Sequence, residues 1–531
     1  MPASTSAFDT GGAQRTVFEA LVEAARSHGS HKPVVRDSDR QELTYNRLIL
    51  GSLILGEKLS RLAGPRETVG LMLPNAAGAV VTLLGLNAFG RTVALLNFTA
   101  GARSLVSALK TGPIPILVTS RRFVEAAKLE EVVAAMSAAE PSPGRTTRVV
   151  YLEDVRAEIG IADKIRAAAR MLFPGRIINR SGMKPSSPAV ILFTSGTEGA
   201  PKGVVLTNAN LVANARQILA HADGMLTPND IVFNPLPMFH SFGLTAATLM
   251  PLLGGMKVVL YPSPLHYKQV AKSIHQEKAT VLFATDTFLM GYARAASAGD
   301  LDSVRYVIAG AERVKAATRD AWRKTGALIL EGYGATECSP VIACSIPQLN
   351  IPGSVGPMLP GIEARLEPVA GIEHGGRLKV RGANVMAGYL LSDAPGIIRP
   401  PEDGWHDTGD IVTIDERRVI TIRGRAKRFA KIGGEMISLA AVEALASGLW
   451  PQAQHVVVSL PDERKGEQLV LVTDEADADR SALLAYAQAE GLPELWVPRA
   501  LLVVASIPVS GTGKIDLQAT RALVEATRPL L

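Results

Sequence analysis

Short apolar runs alternate with stretches in which apolar positions recur every three or four residues. Residues 17–27, VFEALVEAARS, carry the helical period, and 32–37, KPVVRD, reads as a short strand. Residues 43–63 form a second helical pattern that opens after Thr44, a natural helix cap. RETVGLMLP and RTVALLNF read as strands separated by a helix over 76–90, and PIPILVTS as a further strand. VEAAKLEEVVAAM predicts one helix over 124–136. From Pro188 the alternation sharpens, with strands AVILF, DIVFN, MKVVLY, TVLFAT, SVRYVIAG and ALILEGYG set between helices such as NLVANARQIL and YKQVAKSIHQEKA. Fully apolar strands that run into glycine loops predict an α/β fold, with parallel sheets covered by helices on both faces.

After Gly356 the pattern changes to IEARLEPV, GGRLKVRG and IVTIDERRVITIRGR, which predict short antiparallel strands joined by hairpins. A helix from ISLAAVEAL, strands AQHVVVSLPD and EQLVLVTD and two further helices complete the chain. The expected organisation is a tail over 1–14, a large domain over 15–425 with a β-rich part from about 356, and a smaller α+β domain over 426–531.

Composition narrows the class without naming a function. With 47% apolar and 20% charged residues the chain can build large cores without disulfide or metal staples, and its two cysteines, Cys338 and Cys344, offer no disulfide framework. A net charge of +6 on 531 residues, with no basic block or paired-cysteine pattern, argues against a nucleic-acid partner. No charge lies between Glu67 and Arg91, a length that would permit a membrane span, but Pro74, Asn75 and Asn87 predict a buried strand turning into a helix instead. The opening residues lack the basic start and apolar run of a secretion signal, so a cytoplasmic location is expected. Residues 164–180, KIRAAARMLFPGRIINR, leave two readings open: an amphipathic patch touching anionic lipid, or a solvated helix whose Leu172 and Phe173 face the body.

The densest chemical signal is Thr194-Ser195-Gly196-Thr197-Glu198-Gly199-Ala200-Pro201-Lys202-Gly203, directly after a predicted strand. Its glycines let the backbone curl so that N–H groups face an anion, hydroxyls add donors, and Lys202 adds a point charge. The spacing is not that of the common P-loop.

With this loop, GYGATE at 332–337, GWHDTGD at 404–410, GRAKRFAKIGGE at 424–435 and SGTGKI at 510–515, the chain resembles the adenylate-forming superfamily of acyl-CoA synthetases and nonribosomal adenylation domains. FHSFGL, LYPSPLHY and VAGIEHGG look most like the acyl-carrier-protein synthetase half of the bacterial bifunctional lysophosphatidylethanolamine (2-acylglycerophosphoethanolamine) acyltransferase/acyl-ACP synthetase. No acyltransferase pattern accompanies His28 or His31, so a stand-alone synthetase is expected, served by a separate lysophospholipid acyltransferase if acyl groups reach phospholipid.

The resemblance implies a two-step ligase using ATP and Mg2+. A medium- or long-chain fatty acid attacks the α-phosphate, and the resulting acyl-AMP passes to the phosphopantetheine thiol of acyl carrier protein. CoA is the alternative acceptor, and a non-catalytic nucleotide- or acyl-binding module the further alternative. By the same resemblance Thr194, Ser195, Gly196, Thr197, Gly199 and Lys202 hold phosphates, while Glu198 stands where the family usually has threonine. Glu337 would be the Mg2+ carboxylate, with Thr336 beside the α-phosphate. Tyr333 would stack on adenine, with Gly310, Ala311 and Glu312 along its edge. Asp410 and Arg425 would contact ribose, Lys427 would mark a hinge, and Gly433, Gly434 and Glu435 would lie near the thiol route. Lys514 would bridge the carboxylate and the α-phosphate. His240 would take part in catalysis at the acyl pocket, as a gate or as a contact to the carboxylate or thiol, among Leu236, Met238, Phe239 and Phe242. Cys338, beside Glu337 but with no base motif, reads as structural. A peripheral contact with the inner face of a membrane completes the expectations.

Overall fold

The computed structural model describes residues 10–172, 181–194, 201–369, 372–432, 435–462, 466–509 and 515–527. They form two compact units. One comprises Met1–Ile351, Val355–Glu363 and Arg381–His406, and the other Pro352–Ser354, Ala364–Val380 and Asp407–Leu531.

The first unit holds two eight-stranded sheets. In one, Pro33–Asp37, Lys257–Leu260, Ile231–Asn234, Val281–Ala284, Tyr306–Ala309 and Leu328–Gly334 run parallel, with antiparallel strands Glu42–Thr44 and Val341–Cys344 at the edges. In the other, Arg148–Tyr151, Ile116–Thr119, Thr68–Leu71, Thr92–Leu95 and Pro188–Thr194 run parallel. Lys202–Thr207, Gly388–Leu391 and Ala394–Arg399 extend that sheet antiparallel. The central strands are apolar throughout because helices bury both faces: every residue of Thr92–Leu95, Ile116–Thr119 and Val281–Ala284 is buried.

Helix starts follow local chemistry. Thr16 caps the Val17–His28 helix in a reciprocal box with Glu19, and Thr44 caps Tyr45–Ser60 as its position predicts. Thr207 and Asn210 form the same kind of box at Asn208–His221. Each such cap contributes about 1 kcal/mol. The uncharged 68–90 stretch is the strand Thr68–Leu71 followed by the helix Ala77–Ala88, and among the described residues no helix is long and apolar enough to cross a membrane.

Three local expectations are corrected. The 124–136 helix is two helices, Arg121–Ala126 and Glu130–Ser137, because Lys128 adopts a left-handed φ of 53° and the Leu129 N–H closes back on the Val124 carbonyl. The tail expected over 1–14 contains one helical turn at Thr10–Ala13. Of the two readings left open for 164–180, the one in which Leu172 faces the body is not met, since Leu172 is 74% exposed; Phe173 lies outside the described residues.

The second unit contains most of a four-stranded sheet of Ile362–Glu367, Gly376–Gly382, His406–Ile414 and Ile420–Arg425, in which the last two strands pair antiparallel. Its other sheet joins Phe429–Ile432, Glu435–Ser438, His455–Asp462 and Gly466–Thr473, with Ala500–Val503 parallel to the last. The helices Leu439–Leu449 and Arg480–Ala489 cover one face through Val442, Leu445 and Leu483. Val524 of the Leu517–Thr527 helix packs with Val456, Leu460 and Val470.

Candidate active site

The strand pairing of Pro188–Thr194 with Lys202–Thr207 brings Thr194 opposite Lys202, so the predicted phosphate loop is the connection of a β-hairpin. Ser195, Gly196, Thr197, Glu198 and Gly199 lie outside the described residues, as do Lys514 and the Gly433-Gly434 pair. The structure therefore places only the two ends of the loop.

On the far side of the Lys202 strand runs Gly388–Leu391, with Tyr389 paired to Val204. The Lys202 ammonium stands 5.7 Å from the centre of the Tyr389 ring, within range of a cation–π attraction. The Tyr389 hydroxyl donates to Glu337 Oε1 at 2.6 Å. Glu337 sits in the short 3-10 turn Thr336–Cys338, which follows the strand ending in Gly334. Thus Lys202, Tyr389 and Glu337 form one continuous row, although 135 and 52 residues separate successive members along the chain in the order Lys202, Glu337, Tyr389.

The turn carrying Glu337 is held by buried polar groups. The Met386 N–H donates to the Glu337 carbonyl at 2.8 Å, and Asn384 Nδ2 donates to the Cys338 carbonyl at 2.8 Å. Asn214, fully buried, donates to the Val341 carbonyl at 2.8 Å and accepts from the Val341 N–H at 3.0 Å. Gly334 is required here because a Cβ would stand 2.1 Å from the Pro340 carbonyl oxygen. Beside the turn, the Ser241 hydroxyl lies 3.5 Å from the Thr336 hydroxyl. His240, on the preceding residue, is exposed at the head of the Phe242–Leu249 π-helix and packs edge-on to Phe239 at 4.8 Å. Burial and the neighbouring Glu337 charge push the Cys338 thiol well up, which keeps it protonated and supports its structural reading.

The remaining candidates divide. Tyr333 is buried on the Leu328–Gly334 strand, opposite Ala343. Gly310 and Ala311 follow the Tyr306–Ala309 strand, with Ala311 at a positive φ of 67°. A Cβ at Gly310 would meet the Phe242 ring at 3.0 Å, so this glycine lets the apolar residues after His240 approach the loop. The Glu312 carboxylate is engaged locally: it accepts from the Thr287 N–H at 3.0 Å and the Thr287 hydroxyl at 2.9 Å. Leu236, Met238 and Phe239 are buried. In the second unit, Asp410 is 4% exposed and pairs with Arg425 Nε at 2.8 Å across the two strands, while Arg425 Nη1 donates to the Thr408 carbonyl. The Lys427 backbone lies in the 3-10 turn Ala426–Arg428, two residues beyond Arg425.

Sequence reading missed Tyr389, Asn214, Asn384 and Ser241, all polar residues inside otherwise apolar or glycine-rich stretches. A tyrosine in a short strand far from any acidic motif gives no local signal of its partner.

The AMP-binding enzyme family profile matches residues 21–390, more than two thirds of the chain. The chain belongs to the AMP-binding enzyme family. It is 28% identical over 518 residues to a 3-[(3aS,4S,7aS)-7a-methyl-1,5-dioxo-octahydro-1H-inden-4-yl]propanoyl:CoA ligase of Rhodococcus jostii (strain RHA1), covering 94% of this AMP-binding enzyme and 97% of the relative. It is 28% identical over 476 residues to a long-chain-fatty-acid–CoA ligase of Yersinia pestis, covering 85% and 84%. Its fold matches the o-succinylbenzoate coenzyme A synthetase of Bacillus subtilis in complex with ATP and magnesium ion, with a TM-score of 0.76 at 22% identity over 96% of this chain and 100% of that one. The adenylate-forming architecture expected from the motifs is therefore present. The expected acceptor is corrected: these relatives are CoA ligases, and the acyl-carrier-protein reading is set aside.

Proposed function

We propose that this AMP-binding enzyme is an ATP- and Mg2+-dependent fatty acid–CoA ligase. The observation that carries the reading is its near full-length match to enzymes named as CoA ligases, one of them acting on long-chain fatty acids. The row Lys202, Tyr389 and Glu337 supports the chemistry.

Glu337 fits a magnesium site of the open kind. The hydrogen bond from Tyr389 fixes Oε1, and among the described residues no group of three or more His, Cys, Asp or Glu side chains converges as an all-protein metal cage would require. A single carboxylate that shares the ion with phosphate oxygens is the usual Mg2+ arrangement, and the bound ion would neutralise phosphate charge. Tyr389 keeps the Glu337 carboxylate oriented, and Lys202 brings a positive charge to the end of the phosphate loop. Thr336 and Ser241 supply hydroxyls beside the turn. Backbone N–H groups of Ser195 to Gly199 would hold the β- and γ-phosphates, and Lys514 would neutralise charge that builds between the carboxylate and the α-phosphate. Asp410 and Arg425 would contact ribose, and Tyr333 with Gly310 and Ala311 the adenine. Leu236, Met238, Phe239 and Phe242 give the acyl side an apolar lining that favours an aliphatic chain. The acyl-AMP carbonyl then passes to the CoA thiol and AMP leaves. We place the hinge for domain movement at Lys427.

The test is intact-mass detection of acyl-CoA after the purified enzyme meets MgATP, CoA and a mixture of saturated C8–C18 fatty acids. Long-chain acyl-CoA and AMP in equal amounts are expected, with Lys514→Ala reduced by at least about a hundredfold. AMP release without acyl-CoA would overturn the acceptor, and no AMP release with any fatty acid would overturn the substrate class.

A further inference from the structure

The Ile161–Met171 helix is built inside out. At 3.6 residues per turn, Ile161, Ile165, Ala168 and Leu172 share an arc of roughly 60°, and all four are exposed. Ile161, Ile165 and Leu172 are the three most exposed large apolar side chains among the described residues, at 76%, 65% and 74%. The opposite face carries the charge. Asp163, buried, accepts from the Gly160 N–H at 2.9 Å and pairs with Lys58 at 3.0 Å and with Arg166. Arg170 donates to Glu57 Oε2 at 2.5 Å, and Glu57 is buried in the Tyr45–Ser60 helix. An ordinary surface helix turns its apolar stripe to the core, and here internal ion pairs hold that stripe to solvent.

We infer that this helix is a docking surface for an anionic lipid bilayer, with the Ile161, Ile165 and Leu172 stripe entering the acyl–headgroup boundary. Charge selects the occupant. The one acidic residue of the helix, Asp163, is buried and paired, whereas Lys164 is exposed beside the stripe and the Arg166 side chain is 44% exposed. Solvent and any approaching surface therefore meet only positive charge from this helix, which suits phosphatidylglycerol-type headgroups. Three helical turns with three large aliphatic side chains fall well short of the roughly 800 Å2 per partner of a stable protein dimer, but a lipid surface needs no complementary shape. At the C-terminal end of the helix, Met171 lines a partly polar open cleft of about 310 Å3 with Val22, Ala25, Arg26, Ser30, Asn46 and Ile49, so Arg26 adds a further cation at that end.

The test is flotation of the full-length protein with vesicles of phosphatidylcholine alone and of phosphatidylcholine mixed equally with phosphatidylglycerol. The wild type is expected to float with the anionic vesicles only. Ile161→Ser/Ile165→Ser/Leu172→Ser should lose at least about tenfold in binding, since insertion scales with apolar area. Lys164→Glu should lose about fivefold, an effect weakened by salt. The three apolar positions face solvent, so an unchanged thermal midpoint confirms that the variant is folded. Equal binding by wild type and triple variant, absence of wild-type binding, or equal binding to both vesicle types would overturn the proposal. So would a concentration-dependent dimer in light scattering that the triple substitution abolishes, because a second copy would then be the occupant. Vesicle binding needs no turnover, so its outcome stands apart from that of the ligase assay.

Discussion

Tyr389 donates to Glu337 Oε1 at 2.6 Å while its ring faces the Lys202 ammonium at 5.7 Å, so one side chain links the carboxylate and the cation of the candidate phosphate site. The link joins a strand of one sheet to the turn that follows the last parallel strand of the other. Its geometry depends on both sheets being formed, which ties the site to the fold.

Tyr389→Phe removes the hydroxyl and keeps the ring over Lys202. A hydrogen bond to a charged group is worth about 1.5–3 kcal/mol, and here it orients a carboxylate. The Mg2+ concentration for half-maximal pyrophosphate release should rise roughly tenfold, in line with the bottom of that range. Glu337→Gln should do more damage, and the double substitution should add little to it. An unchanged Mg2+ requirement in Tyr389→Phe would mean that the hydroxyl serves packing alone.

Asp410 and Arg425 test a different kind of pair. Asp410 is buried, but the Arg425 side chain is 61% exposed, so the ion pair itself should contribute only about 0.2–1 kcal/mol to stability. Arg425→Ala is expected to leave the thermal midpoint nearly unchanged and to raise the KM for ATP several-fold, with kcat less affected. A large fall in the midpoint with normal ATP binding would assign the pair to the strands and not to nucleotide.

Much of this was legible in the chain because local chemistry decides local structure. Thr44 announces a helix start through its own hydroxyl, and the apolar strands announce a sheet covered on both faces. What could not be read depends on distant partners or on backbone turns that no residue type marks. The break at Lys128 needs a left-handed residue that no glycine marks. The π-helix Phe242–Leu249 is supported by Thr248 and Asn234, which both donate to the Gly243 carbonyl. The reversed Ile161–Met171 helix depends on Glu57, 113 residues away from Arg170, and the acceptor thiol leaves no mark in the motifs expected to hold ATP.

Asn214→Ala probes the support beneath the Glu337 turn. Its amide satisfies both the N–H and the carbonyl of Val341 in a fully buried position. Each buried backbone group left unpaired costs about 1–3 kcal/mol, so a loss of about 2–4 kcal/mol in urea unfolding is expected. Asn214→Asp retains an acceptor for the Val341 N–H but loses the donor to its carbonyl. A loss below about 1 kcal/mol for the alanine variant would show that water replaces the amide.

His221 gives the fold an acid-sensitive contact. Burial lowers its pKa below the ordinary 6.5, outweighing the Cys344 carbonyl, which lies 2.7 Å from Nε2 and favours the protonated ring. The native state therefore prefers neutral imidazole, and the unfolded chain binds more protons as pH falls. Stability from this group is fully present above 6.5 and is lost as pH falls through 6.5 toward the lower native value. His221→Gln can still donate to the Cys344 carbonyl but cannot titrate. Urea unfolding at about pH 7.5 and 5.5 should show a smaller acid-induced loss in the variant than in the wild type, since the other titrating groups are common to both. Equal losses would show that His221 is protonated in the native state at the lower pH at no cost, and that the acid sensitivity of the fold resides in its carboxylates.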